Sequence, residues 1–297
     1  MAKPPGPQLI VNADDFGLSP PVNEGILRAH REGIVTAASL MAVGMAFDHA
    51  VGLARQAPGL DIGVHLTLVE ERPLLSQRSS LADGRGRFPP GALALVRALA
   101  TGKIRHADVR AEWAAQIEKI LAAGLTLSHL DSHQHVHALP GLSAIATELA
   151  AAYRIAVVRA PLERPRRDMF ARLTAVPRLV GWLTLCAAWI TARSLGQTPV
   201  HAPRFLGFCH GGRLDAGRLG LLLVSLKPGR VYELMCHPGY RPEQAAYGRW
   251  GYGHETELAA LTAPQVKTLI TRLGIQLRGF ADGFGQGPGC GSAPTAI

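Results

Sequence analysis

Two adjacent carboxylates, Asp14 and Asp15, follow the apolar run at residues 9–11 in the segment LIVNADDFGLSP. Like charges placed side by side repel each other, so something must offset that cost. A divalent cation would neutralise one carboxylate, and the other could stay ionised beside it as a general base for water. A metal-assisted hydrolytic site is therefore one interpretation of the pair, although two adjacent aspartates taken alone are more typical of a turn or helix cap after a strand.

Imidazole groups suited to the same site occur in later apolar segments. His65 lies in DIGVHLTL and His237 in VYELMCHPG. One carboxylate with two imidazoles leaves coordination positions open for water and substrate, as a catalytic metal requires. His237, which comes from a different strand, is the candidate acid that protonates the leaving group. The segment HLDSHQHVH adds Asp131, His133, His135 and His137, and IAVVRAP adds Arg159.

His135, His137 and Arg159 are predicted to contact the substrate. Only some imidazoles in HQHVH can be metal ligands, so His135 and His137 are placed beside the ligands or the substrate. Arg159 would bind substrate or orient Asp14, with an ordinary surface ion pair as the alternative. For a single His65 in an apolar strand, the alternative is a histidine packed in the core.

Short apolar runs alternate with segments of helical period, a pattern typical of βα units. The predicted strands are 8–13, 34–43, 60–66, 125–131, 154–159, 203–208, 230–236 and 275–281. The predicted helices are 20–32, 46–57, 91–101, 107–123, 140–152, 172–195, 215–226 and 263–273, with Thr262 as the cap of the last. This alternation favours one α/β domain built as a distorted (β/α) barrel of the TIM type. The carboxyl ends of parallel strands meet on one face of such a barrel, so the polar residues are expected to converge there.

Composition limits the class of protein. The 297 residues, 47% hydrophobic and 18% charged, can bury a large core. We expect a flexible start at 1–7, a domain over 8–282 and a disordered tail at 283–297. Four cysteines without a CxxC pair and the polar opening MAKPPGPQ favour a cytoplasmic protein without a signal peptide. The net charge of +9 would attract phosphates or anionic lipid, but no nucleic-acid-binding signature accompanies it, and nucleic acid is not an expected partner.

Four motifs, NADDFGLS, GVHLTL, HLDSHQHVH and MCHPGY, occur in this order. Together they resemble the YdjC-like (ChbG-like) carbohydrate deacetylase family, which removes N-acetyl groups from amino sugars. The resemblance covers residues 8–160 and 203–282. The segment FLGFCHGGRLDAGRL, with the apolar insert before it, resembles the hopanoid-biosynthesis branch of that family, called HpnK.

The resemblance implies a role for each matched residue. Asp15, His65 and His133 would be the metal ligands and Asp14 the catalytic base, an order of the two aspartates that the residues alone leave open. Family members are described with magnesium, whereas two imidazoles suit zinc, cobalt or nickel better. The expected cofactor is therefore one divalent metal ion. The implied reaction is attack of an activated water on the acetamide carbonyl, which releases a free amine and acetate.

An apolar helical insert at about 163–200 distinguishes this chain. Residues 179–192 are apolar nearly all round and follow a cluster of arginines within 164–178. This run is too short to span a bilayer, which takes about twenty residues. It is predicted either as a buried helix or as a helix that contacts a membrane surface through 164–192 or lines an apolar channel.

The predicted substrate is an acetylated amino sugar carried by a lipid, with N-acetylglucosaminyl hopanoid as the specific expectation. Such a substrate would place the protein at the inner face of the membrane. Three alternatives stay open: deacetylation of soluble chitooligosaccharides or other glycans, metal-assisted hydrolysis of a phosphate or ester bond, and a non-catalytic lipid- or metal-binding protein. The oligomeric state also stays open, with a homodimer among the options.

Overall fold

The computed structural model describes residues 5–75, 80–163, 203–242, 247 and 250–283. Its strands are β1 (Gln8–Phe16), β2 (Ala37–Leu40), β3 (Asp61–Leu66), β4 (His129–Ser132), β5 (Val157–Val158), β6 (Arg204–Leu206), β7 (Val231–Cys236) and β8 (Gln276–Leu277). The pairings among these strands are parallel. Each strand overlaps a predicted one, although β2, β4, β5, β6 and β8 are shorter than predicted by three residues or more.

The sheet runs in the order β5, β4, β3, β2, β1, β7, β6 and curls into an incomplete barrel. Gln8 and Leu9 pair with β7 on one edge of β1 and with β8 on the other, and β2 takes over that second edge from Asn12. In the described part of the chain, β5 and β6 are the two ends of the path, so the barrel is open between them. The predicted distorted α/β barrel is confirmed.

The helices cover the outside of this sheet. They are α1 (Pro20–Arg31), α2 (Phe47–Arg55), α3 (Ala92–Ala100), α4 (His106–Ala122), α5 (Leu142–Ala152), α6 (Ala216–Val224), α7 (His254–Thr262) and α8 (Pro264–Leu273). The sequence predicts all of them except α7. Two buried residues of α7, His254 and Glu257, are polar and interrupt its apolar period. Thr262 therefore ends α7 instead of capping α8, and the predicted cap is wrong.

The apolar insert predicted at about 163–200 lies almost wholly outside the described residues. The helix predicted at 172–195 lies outside the described residues, as does the predicted tail beyond residue 283. Among the helices that the structure describes, none is long and apolar enough to cross a membrane.

Side chains along each strand alternate between two environments. In β1, residues 9, 11 and 13 belong to the main apolar core between the sheet and the helices. Ile10, Asn12 and Asp14 face the barrel interior instead, where Asn12 donates to Asp14. The other strands follow the same alternation. A small apolar cluster of Ile10, Ala37, Val157 and Phe280 closes the interior at the end away from the acids. Polar side chains fill the interior from this cluster to the carboxyl ends of the strands.

The loop after β7 is held by a close contact with α1. A Cβ atom on Gly25 would collide with the backbone of Gly239, so the helix and the loop approach as only glycine allows. The backbone N–H of Gly239 donates to the carbonyl of His254, and that of Tyr240 donates to the carbonyl of Pro21. The loop that carries His237 is thereby fixed between α1 and α7.

We expect Gly25→Ala to destabilise the protein, although alanine is the better helix former. Separating α1 from the Gly239 backbone should lower the free energy of unfolding by about 1–3 kcal/mol, as overpacking does. Gly52→Ala is the matched control, because it also lies inside a helix but a Cβ there meets nothing within 4 Å. That variant should gain about 0.5–1 kcal/mol. Equal changes in urea-denaturation midpoints for the two variants would contradict the close contact.

Candidate functional site

The backbone at Asp15 brings two adjacent carboxylates to the same side of the strand. Alternation along β1 directs Asp14 inward and would direct Asp15 outward. Asp15 instead has a φ of +64°, and the pairing between β1 and β2 is irregular between Ala13 and Phe16. This left-handed backbone costs about 1–3 kcal/mol for a residue other than glycine. It turns the Asp15 carboxylate back into the site.

Asp15, His65 and His133 come together as a cluster of possible ligands. Their donor atoms all lie within 4.8 Å of one another, and all three residues are buried. The Asp15 Oδ1 atom lies 3.2 Å from His65 Nε2 and 2.9 Å from His133 Nδ1. Within the described residues, the buried Oδ2 atom of Asp15 has no hydrogen-bond partner. One carboxylate and two imidazoles this close together are a donor set that suits a divalent ion.

Each of the two imidazoles is anchored by a carboxylate on its other nitrogen. His65 Nδ1 lies 2.7 Å from Asp131 Oδ1, and His133 Nε2 lies 3.1 Å from Glu70 Oε2. A carboxylate in this place accepts a hydrogen bond from the ring N–H and fixes the tautomer, so that in the neutral ring the opposite nitrogen carries the lone pair. That opposite nitrogen is the one beside Asp15 in both residues.

The charges of the cluster are strongly coupled. Burial lowers the pKa of His65, but Asp131 and Asp15 outweigh it and raise that pKa to about 10. Burial likewise opposes the charged form of His133, while Asp15 and Glu70 raise its pKa to about 9. Burial would raise the pKa of Asp15, but the two imidazoles hold it well below its usual range. The acids around these nitrogens therefore favour a positive charge, which a proton or a metal ion can supply.

Arg159 is buried in the barrel interior and binds three carboxylates. Its two terminal nitrogens lie 2.6 and 2.7 Å from the oxygens of Asp14. The Nη2 atom of Arg159 also lies 2.7 Å from Asp131 Oδ2, and the Nε atom of Arg159 donates to Glu233 at 2.6 Å. With a side-chain exposure of 1%, Arg159 is not a surface ion pair. The guanidinium fixes the orientation of Asp14, one of the two roles predicted for it.

Asp131 joins the arginine to the histidine cluster. One of its oxygens accepts a hydrogen bond from His65 Nδ1, and the other accepts from Ser39 Oγ at 2.7 Å and from Arg159. Burial would raise the pKa of Asp131, but Arg159 and His65 keep it far below its usual range. The sequence placed Asp131 in the HLDSHQHVH motif without a role. Asp131 lies two residues after His129 in β4, so the two side chains face the same side of the strand. This alternation is the sequence signal that could have identified Asp131.

Glu233 is the third carboxylate of this group. It lies on β7 in register with Ile10 of β1, so it also faces the interior. Burial raises the pKa of Glu233 to about 7, even though Arg159 opposes that shift. Within the described residues its Oε2 atom has no hydrogen-bond partner. Glu233 can thus hold a proton near neutral pH.

His237 follows β7 and is held through its backbone. Its N–H donates to Glu257 Oε2 at 2.5 Å, and its carbonyl accepts from His254 Nδ1 at 2.9 Å. Both partners lie on α7, the helix that the sequence did not predict. Burial lowers the pKa of His237 to about 4, so its ring is neutral at pH 7. In the described part of the chain, the buried His237 Nδ1 atom has no partner.

The remaining two histidines of the motif lie on the Arg159 side of the interior. His137 Nε2 donates to the Arg159 carbonyl at 3.0 Å, and its Nδ1 receives the Ser132 hydroxyl at 2.6 Å. His135 has a φ of +53° and packs its ring against Phe205 and a second phenylalanine. Both ring nitrogens of His137 therefore have hydrogen-bond partners within the protein. The contact of His135 and His137 with substrate stays a prediction.

A loop and an aromatic segment complete the site, and neither was predicted. Glu70 lies in the loop after β3 with a φ of +67° and contacts both His133 and the Trp250 indole N–H, the latter at 3.2 Å. The ring of Trp250 lies 5.0 Å from that of His133, and the ring of Tyr252 lies 4.6 Å from that of His237. No periodicity marks such loop residues in the sequence.

Taken together, the fold and the site define a distorted α/β barrel that carries an aspartate–histidine–histidine cluster at the carboxyl ends of its strands. The YdjC-like protein family matches residues 8–272. The chain belongs to this family, as the four sequence motifs predicted.

Individual relatives extend the match over nearly the whole chain. A carbohydrate deacetylase of Brevibacillus brevis is 36% identical over 93% of this chain and 99% of its own length. Carbohydrate deacetylases of Geobacillus stearothermophilus and Mus musculus are 35% and 34% identical, over 90% and 97% of this chain and 94% and 98% of their own lengths. A crystal structure from Enterococcus faecalis V583, of a protein provisionally assigned to cellobiose-phosphate cleavage, covers 93% of this chain and 98% of its own, with 28% identity and a TM-score of 0.70. The barrel fold is therefore shared with this solved structure.

We expect Arg159→Met to destabilise the protein strongly. Removing the guanidinium leaves Asp14, Asp131 and Glu233 buried without their common cation, and breaking a buried pair typically costs about 3–5 kcal/mol. Chemical denaturation at pH 7 measures the loss. The matched control is Arg110→Met, which removes an exposed pair with Glu148 and should leave the denaturation midpoint nearly unchanged. Similar losses in the two variants would contradict the role of Arg159.

Proposed function

We propose that the protein is a metal-dependent hydrolase that removes the N-acetyl group from an acetylated amino sugar. The observation that carries the proposal is that two sets of residues lie together at one end of the barrel. The first is the Asp15–His65–His133 cluster, and the second is Asp14 with its Arg159 partner. Membership of a family whose relatives are named carbohydrate deacetylases supports the same reaction class.

The donor set supports a divalent metal ion as cofactor. Asp15, His65 and His133 would hold it, because each offers one ligand atom within 4.8 Å of the others and the Asp15 Oδ2 atom has no partner among the described residues. Two imidazoles favour zinc, cobalt or nickel chemically, whereas the family resemblance favours magnesium. Once bound, such an ion supplies a Lewis acid for the acetamide carbonyl and lowers the pKa of an adjacent water molecule.

Asp14 is suited to accept the proton from that water. A carboxylate offers about four acceptor positions. Among the described residues, Asp14 accepts two hydrogen bonds from Arg159 and one from Asn12 Nδ2 at 2.8 Å, which leaves one of these positions. An oxygen of Asp14 also lies within 4.8 Å of a His65 nitrogen, which places it next to the ligand cluster. Asp14 is therefore held rigidly at the place where a base is needed.

His237 is the group suited to protonate the leaving nitrogen. Its backbone is fixed by Glu257 and His254, and its Nδ1 atom has no partner in the described structure. The ring is neutral at pH 7, so it must first receive the proton that Asp14 takes from water. The new C–O bond forms first, as the π electrons of the carbonyl move to its oxygen. The C–N bond then breaks as those electrons return and the proton passes to the departing amine. Water and the acetamide are thereby converted into acetate and a free amine.

Substitution of the two aspartates by asparagine should separate their roles. Asp14→Asn should reduce acetate release by at least about 100-fold, because general base catalysis contributes about 10²–10⁴-fold, while bound metal is retained. Asp15→Asn should lose both the metal and the activity. Acetate release from N,N′-diacetylchitobiose and metal content after dialysis are the two measurements. Asp48→Asn, on the exposed face of α2, is the control that should change neither. Metal loss in Asp14→Asn with retention in Asp15→Asn would reverse the assignment.

The finer proposal is that the acetylated sugar is carried by a lipid, with N-acetylglucosaminyl hopanoid as the specific substrate. The apolar run at 179–192 and the arginines before it support this proposal from sequence alone. A polycyclic lipid would require an apolar surface next to the polar metal site. Membrane contact at the inner face and a homodimeric assembly stay predictions of the same kind.

Replacing Trp182 and Trp189 together by serine should lower kcat/KM for N-acetylglucosaminyl hopanoid in lipid vesicles by about tenfold or more. The value for soluble N,N′-diacetylchitobiose should change little, because that substrate has no apolar part. A replacement of Trp113 would not serve as control, because it is fully buried in the core. Leu93→Ser, at an exposed leucine of α3, is the matched control. Unchanged activity on the lipid-linked substrate would reject the finer proposal.

A further inference from the structure

Trp250 and Tyr252 form an aromatic wall beside the Asp15–His65–His133 cluster. Their rings lie 5.6 Å apart, and the ring of Tyr247 lies 5.2 Å from that of Trp250. Tyr252 is seated against Gly212, where a Cβ atom would collide with its ring. Trp250 is only partly buried, so part of this residue remains exposed to solvent.

The aromatic wall contacts two histidines of the proposed mechanism. Trp250 contacts His133, a residue of the ligand cluster, at a ring distance of 5.0 Å. Tyr252 contacts His237, the residue suited to act as acid, at 4.6 Å. A substrate whose scissile bond lies between His133 and His237 must therefore lie along Trp250 and Tyr252.

Glu70 holds the indole in place. One of its oxygens accepts from Trp250 Nε1 at 3.2 Å, and the other lies 3.1 Å from His133 Nε2. The Glu70 backbone is fixed as well, since its N–H donates to the Pro89 carbonyl and its carbonyl accepts from Arg87. The polar edge of the indole is thus used within the protein. What Trp250 offers to a ligand is its apolar face.

We propose that Trp250 binds the amino sugar by stacking its indole against the apolar C–H face of the pyranose ring. This inference rests on the proposed function and names the residue that recognises the sugar. A pyranose has one face of axial C–H groups and a rim of hydroxyls, so it combines an apolar surface with polar edges as the site requires. Stacked in this way, the ring presents its N-acetyl group between His133 and His237.

The test compares Trp250→Ala with Trp250→Phe. Trp250→Ala should raise KM for N,N′-diacetylchitobiose about tenfold and change kcat less than about threefold, because the stacking contact is made by substrate and transition state alike. Trp250→Phe keeps a ring and should raise KM only about twofold. Tyr153→Ala is the control, because Tyr153 follows the last turn of α5, a helix that ends directly before β5 and therefore at the opposite end of the sheet. This control should leave KM unchanged.

Binding is measured separately from turnover through tryptophan fluorescence. Titration with chitobiose, the deacetylated disaccharide, should change the emission of the unsubstituted protein. The same titration of Trp250→Phe should give no change, although three other tryptophans remain in the chain. This variant keeps the test decisive if Trp250→Ala does not fold.

Two results would overturn the inference. One is an unchanged KM in Trp250→Ala, and the other is a fall in kcat at constant KM, which would make Trp250 a support for His133 only. Failure of the proposed function is recognised differently. If no acetylated sugar releases acetate but chitobiose still changes the Trp250 fluorescence, the hydrolase proposal fails and the sugar-binding wall stands.

Discussion

One buried guanidinium, that of Arg159, makes the polar interior of this barrel possible. Asp14, Asp131 and Glu233 come from three different strands and lie where water cannot screen their charges. Placing three such carboxylates together would be prohibitive without a cation within hydrogen-bond distance, because each buried ion loses several kcal/mol of hydration. Arg159 supplies that cation at 2.6–2.7 Å from all three. The strands can therefore end in acids, and the acids can in turn charge and orient the histidines.

The histidine cluster depends on this arrangement through Asp131. That carboxylate touches Arg159 with one oxygen and His65 with the other, so the orientation of Asp14 and the tautomer of His65 are set by one connected network. Glu70 does for His133 what Asp131 does for His65, although it lies in a loop and is partly exposed. The left-handed backbone at Asp15 adds the last requirement, because an ordinary strand would direct two adjacent carboxylates to opposite faces.

Much of the fold and part of the site could be predicted because they follow from local patterns. Strand positions, the barrel class and the donor types at the strand ends come from apolar runs that end in polar groups. The choice of Asp15, His65 and His133 as the ligands came from the resemblance to the family. The helix α7 could not be predicted, because His254 and Glu257 face inward to hold the His237 loop and so break its apolar period. Glu70 and Trp250 lie in irregular segments, where no periodicity reports which side chains turn toward the site.

The amino-acid sequence by itself determined the order of the elements, the alternation that directs even-numbered β1 residues inward, and the types of donor at the strand ends. These depend on neighbours a few residues apart, and such patterns can be read directly from the chain. Only the tertiary structure decided which partner each charge has. Arg159 meets Asp14 across 145 residues and His133 meets Asp15 across 118, and the backbone reversal at Asp15 selects which carboxylate faces the imidazoles. Such pairings are set by the distances between charges in the folded barrel, where Coulomb interactions and desolvation act without regard to separation along the chain.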